Sequence, residues 1–152
     1  METQIENIVL VESLFKRMDI NNVDISELEP SAEFHIETKV YSKSNHLIVL
    51  LHYDFSLHVK GKKKQKHIHY KSVHQAQYKV KSLDGVEDEI IDRFGSINGA
   101  AMLFPFVRED LMNISLKSGF QPIVLPVTNF VRLYEEKVYQ KSNQAKETKI
   151  KK

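Results

Sequence analysis

The chain has 152 residues, 41% hydrophobic and 28% charged, the size and balance of one ordinary domain with a single buried core. Its formal charge of +2 is too small to specify a polyanionic partner, and the absence of cysteine closes disulfides, thiolate metal ligands and thiol nucleophiles. No apolar run approaches the roughly 20 residues that cross a bilayer, and METQIENIVL is acidic and polar where a secretory signal is basic and then apolar, so a cytoplasmic protein is expected.

The opening segment IENIVLVESLFKRMDI fits a helix through Ile8, Val11, Phe15 and Met18 and a strand through Val9, Val11 and Phe15. A strand is the preferred reading. From Glu33 the period is two: Phe34, Ile36 and Val40 share one face, and Glu33, His35, Glu37, Lys39 and Lys43 the other. In HLIVLLHYDFSLHVK the residues Leu47, Val49, Leu51, Tyr53, Phe55, Leu57 and Val59 form an unbroken apolar face opposed by His46, His52, Asp54, Ser56, His58 and Lys60. Between these runs, Ser42 to Asn45 reads as a tight antiparallel turn. The lysine cluster KGKKKQK, Lys60 to Lys66, reads as the next turn, and HIHYKSVHQAQYKV as a strand with Ile68, Tyr70, Ala76, Tyr78 and Val80 inward and His67, His69, Lys71 and Lys79 outward. Together they make a meander whose apolar face needs helical cover.

From Leu83 to Gly99 turn residues bracket an acidic run, EDEIID, which reads as a mobile crossover holding one short helix. Helical spacing runs from Ile97 to Leu116, with Lys117 and Gly119 as a basic last turn and a stop. QPIVLP is an extended apolar link fixed by Pro122 and Pro126. A second helix is expected from a cap at Thr128 through Phe130, Leu133, Tyr134 and Val138. The domain is expected to span residues 1–140, with 141–152 a basic, disordered tail.

The stretch GAAMLFPFVREDLMNISLKSGFQPIVLPVTNF carries a family resemblance. Leu103, Phe104, Pro105, Phe106, Arg108 and Glu109, followed by Gly119, Phe120, Pro122, Leu125, Pro126, Asn129 and Phe130, resemble the SecB family of export chaperones in order, spacing and residue type. The resemblance implies an α+β fold, a four-stranded antiparallel sheet packed against two helices and assembled as a dimer of dimers. It also implies ATP-independent holding of unfolded polypeptides or preproteins, with delivery of some to a membrane translocase. A proline inside a helix removes a backbone hydrogen bond and bends the axis. The bend between Phe104 and Phe106 would aim at least one ring toward a groove. By this analogy client contacts fall on Ile68, Tyr70, Tyr78, Phe104, Phe106, Phe120, Ile123, Leu125 and Phe130. The competing reading of each is ordinary core.

In SecB-type chaperones the outer sheet face is acidic and docks the translocase ATPase. Here His67, His69, Lys71 and Lys79, with His52, His58 and Lys60 beside them, reverse the expected sign and put that docking in doubt. SecB-like proteins dedicated to one partner, such as an antitoxin, are the alternative within the class. Those histidines permit an imidazole metal site, but no acidic neighbour lies close in the same strand, so no metal or other cofactor is expected. The lysine cluster gives an alternative of a different class, a basic nucleic-acid-binding protein, although it holds no aromatic residue for stacking. Arg108 and Glu109 are adjacent on a helix and diverge, and no nucleophile with base and orienter can be assembled, so no enzyme is expected.

Overall fold

The computed structural model describes residues 1–18 and 24–150 and places four antiparallel strands in the order β1-β4-β3-β2. The strands are β1 (Thr3–Arg17), β2 (Leu28–Tyr41), β3 (His46–Val59) and β4 (Lys62–Val80). β2, β3 and β4 form the expected meander, and β1 closes the far side by pairing with β4. β1 is a strand, as read, and its mixed periodicity has a cause. Its register on β4 slips between Ile5 and Asn7 and again between Leu10 and Glu12, so the alternation of faces is interrupted twice.

One face of the sheet is apolar. Leu47, Val49, Leu51, Tyr53 and Phe55 of β3 lie beside Tyr70, Ala76, Tyr78 and Val80 of β4, all buried. Helix α1 (Asp88–Phe94), a π-helical turn (Gly95–Gly99) and helix α2 (Ala100–Lys117) follow one another without a break and cover this face. The helix expected from Ile97 is therefore longer than its apolar pattern. Its glycines are not turn signals. A Cβ on Gly99 would lie 2.7 and 2.8 Å from the two methyls of Val49, and one on Gly95 would run into Thr38 Oγ1. Only a residue without a side chain lets the helix approach the sheet here.

Pro105 lies inside α2, on its exposed side, and the rings beside it part company: Phe104 is buried against the sheet while Phe106 faces out. After α2, Gly119 adopts φ +78°, the left-handed helix stop read from the sequence. The link that follows is pinned to α2, since the Ile123 amide donates to Ser115 Oγ at 3.1 Å and Arg108 Nε donates to the Leu125 carbonyl at 2.9 Å. Helix α3 (Phe130–Ile150) is capped by Asn129 rather than Thr128, because Asn129 Oδ1 accepts from the Arg132 amide at 3.1 Å. α3 continues through residue 150, so most of the segment expected to be disordered is helical. Beyond Pro126 the sequence holds no glycine or proline to stop it.

Candidate functional site

Of the residues expected to meet clients, Ile68, Tyr70, Tyr78, Phe104, Phe120, Leu125 and Phe130 are buried and Ile123 is partly buried. Phe106 alone is open, at 39% exposure. Within one subunit the set is mostly core, because β4 turns its inward row against α2 and the 118–129 link folds over Ser115.

An accessible apolar cavity lies at the opposite edge of the sheet, by β2. A cavity of about 360 Å³ opens between β2 and the first turns of α3, lined by Phe34, Ile36, Phe130, Leu133, Tyr134 and Lys137 among others. Its floor belongs to a closed cycle of four rings. Phe34 stacks on Tyr53 at 6.4 Å, Tyr53 meets Phe104 at 5.9 Å, and Phe130 stands edge-on to Phe104 at 5.5 Å and to Phe34 at 5.7 Å. Such offset and edge-to-face contacts fix the rings beyond what burial alone would do. The cycle ties two strands to α2 and α3 and leaves Phe34, 38% exposed, as the outer lip. β2 is also the last strand of the sheet, so one side of its backbone has no strand partner among the described residues. Of this lining, only Phe130 was among the expected contacts. The alternation in β2 did place Phe34 on the apolar face, but nothing in that pattern says that β2 is an edge.

Beneath Phe106 a smaller cavity, about 220 Å³, lies between β1, β4 and α2, with Ile8, Leu10, His74, Glu109 and Asp110 in its wall. Asp110 Oδ2 accepts from the Tyr70 hydroxyl at 2.6 Å and from Ser13 Oγ at 2.9 Å. Burial, reinforced by that hydrogen bond, pushes the Tyr70 hydroxyl far above the usual phenol range, so it stays a donor. Burial also pushes the His74 imidazole down, opposed in part by the charge of Asp110. This network is the polar peg that registers α2 against β4.

The outer face of the sheet is mixed in charge rather than basic. His46 Nε2 lies 2.9 Å from Glu6, His69 Nε2 3.0 Å from Asp54, His52 Nε2 3.5 Å from Glu37 and His58 Nδ1 3.7 Å from Glu29. Lys71 joins Asp54 at 3.6 Å. The expected reversal of sign therefore fails: the face is neither basic nor uniformly acidic. β1 and β2 contribute carboxylates to the face on which β3 and β4 place their imidazoles, and cross-strand register brings them together. His67 does not converge with His69; its ring lies 5.8 Å from that of Phe120. Among the described residues no three His, Asp or Glu side chains form a metal-holding group.

Comparison with known proteins places this architecture. The family model described as preprotein translocase subunit SecB matches residues 2–141. The protein-export protein SecB of Magnetococcus marinus is 30% identical over 119 residues, covering 78% of this chain and 73% of that protein. SecB of Burkholderia vietnamiensis is 35% identical over 60 residues, covering 40% of this chain and 38% of its own. Among solved structures, the SecB-like chaperone of Mycobacterium tuberculosis, in complex with a ChAD peptide from the HigA1 antitoxin, superposes with a TM-score of 0.74. That likeness covers 84% of this chain and 91% of the other at 15% identity, and shows the shared fold.

Proposed function

The chain belongs to the SecB family of chaperones, and we propose that it holds non-native polypeptides, without nucleotide, by seating an extended segment along the outer edge of β2. One observation carries this reading: the four-ring cycle opens into an apolar slot directly beside an unpaired strand edge. The two halves suit an occupant of no fixed sequence. Strand addition bonds to main chain only, and apolar burial is non-directional, returning about 25 cal/mol per Å². The client set then divides. Phe130 forms the slot floor with Phe104 behind it, while Ile68, Tyr70, Tyr78, Phe120 and Leu125 hold the sheet and the link that shape it. Phe106, with Met102 and Leu116 on the outward side of α2, and Leu10 and Val11 of β1 are exposed apolar residues, and we assign them to contact between copies of this chain.

Residues 1–140 form the chaperone unit in this reading and the remaining lysine-rich stretch is an appendage. No described helix is long and apolar enough to cross a membrane; action in the cytoplasm is part of the proposal. Delivery of preproteins to a translocase is part of the proposal, with the outer sheet face as the surface that meets it. The antitoxin peptide bound by the mycobacterial neighbour favours a second reading, a chaperone given over to one partner.

Light scattering from a permanently unfolded client tests the proposal. Stoichiometric suppression of aggregation, insensitive to salt, is expected, and Phe34→Ala together with Tyr134→Ala should weaken it several-fold while Lys62→Gln does not. Suppression that survives the aromatic pair intact would remove the slot from the account. Failure with every generic client would leave the single-partner reading in its place.

A further inference from the structure

We propose that the β3–β4 hairpin is a docking element for the phosphate backbone of double-stranded nucleic acid. The turn itself is only Lys60 and Gly61, closed by Val59 opposite Lys62, with Gly61 at φ +74°. From there β4 advances four residues, Lys62 to Lys66, while β3 advances one, Val59 to His58, so Lys63, Lys64 and Gln65 are extra residues outside the β3 ladder. The β1 ladder stops at Arg17 opposite Ile68, and Met18 donates to the His67 carbonyl beyond it. Lys63, Lys64 and Gln65 thus have no ladder partner among the described residues, and all three are exposed.

Five lysines, at 60, 62, 63, 64 and 66, share this tip, and none forms an ion pair with a described residue. A cavity of about 290 Å³ lies against the bulge, with Ser31, Ser56, His58, Lys63, Lys64 and Lys66 in its wall. Carboxylates are present as well. Glu29 accepts from the Gly61 amide at 3.3 Å and lies 3.7 Å from His58 Nδ1, so it braces the turn from behind. Asp54, in the cavity wall, is held by His69 and Lys71. Glu33, also in the wall, is the one uncompensated acid facing the cavity. Glu27, exposed and with its carbonyl accepting from the Lys60 amide at 2.9 Å, adds one more carboxylate beside the turn, and the rest of the tip is cationic donors and hydroxyls.

The chemistry selects among polyanions. From Lys60 to Gln65 the tip has no apolar side chain to anchor in a lipid surface and no aromatic ring on which a single-stranded base could stack. Clustered, exposed ammonium groups suit phosphates at regular spacing, read without regard to sequence. Such contact would hold a chaperone close to a nucleic-acid-rich source of unfolded chains while the slot at β2 stays free.

Fluorescence anisotropy of a labelled RNA duplex of mixed sequence tests this on the full chain. With three lysines in contact, affinity should fall roughly 40-fold between about 50 and 200 mM salt. The triple variant Lys62→Gln, Lys63→Gln, Lys64→Gln should lose binding, its Arg counterpart should keep it, and both should suppress client aggregation as the parent does. Unchanged binding in the Gln variant, a flat salt response, or tighter binding to phosphatidylserine vesicles or polyglutamate than to the duplex would each overturn the assignment.

Discussion

His74 shows how a single buried group writes a pH response into the fold. It is 3% exposed, opposite Leu10 in the sheet, and its Nδ1 has no hydrogen-bond partner among the described residues. Burial lowers its pKa from the ordinary value of about 6.5, against the pull of Asp110. The unfolded chain, whose histidine is not desolvated, therefore takes up the proton first as pH falls. The stability that depends on neutral His74 is complete above that ordinary value and drains away as pH drops through it. Melting temperatures taken from about pH 8 down to pH 5.5 should decline for the parent and decline less steeply for His74→Gln. Equal slopes for the two proteins would place the sensitive group elsewhere.

Among the elements, α3 depends most on its start. Phe130 is its only buried residue, so its position against the sheet rests on that ring and on the cap at Asn129. Asn129→Ala should cost about 1 kcal/mol of helix stability, and because Leu133 and Tyr134 form a wall of the slot, client capture should weaken with it. Hydrogen exchange at the first amides of α3 would show the loosening; protection equal to the parent's would rule it out. The same elements mark what the sequence makes legible. Period-two alternation located β2, β3 and β4 because β2 keeps one register on β3 throughout and β3 and β4 slip against each other only at the hairpin tip, around His58, whereas β1 slips twice within its length and so looked like helix and strand at once. LFPF and the Asn-Phe motif disclosed the family without disclosing which of two neighbouring rings turns outward. The edge position of β2 depends on β1 joining β4, a pairing between segments about sixty residues apart that no local pattern records. Counting charge on β3 and β4 alone gave a basic outer face; Glu6, Glu29 and Glu37, brought in by register, corrected it.

The molecule as a whole leaves apolar surface uncovered on the side of the sheet where β1 lies. Val11 is 55% exposed and Leu116 51%, with Leu10, Met102 and Phe106 also open. A lone soluble subunit rarely displays so many large apolar groups on neighbouring elements. Sedimentation velocity should therefore report an assembly larger than 17.7 kDa, and Val11→Asp with Phe106→Asp should shift it toward the single chain. A parent that sediments as one subunit would refute the contact between copies.

The open rim of β2 has a cost as well. A strand ready to accept any extended chain is equally ready to accept the same strand from an idle twin, and repetition of that match grows a fibre. Pro30 within β2 withholds one donor, and Glu29, Glu33 and Glu37 repeat at every fourth residue, so two such rims laid side by side would crowd like charges. The strand that welcomes clients is thereby furnished to refuse itself.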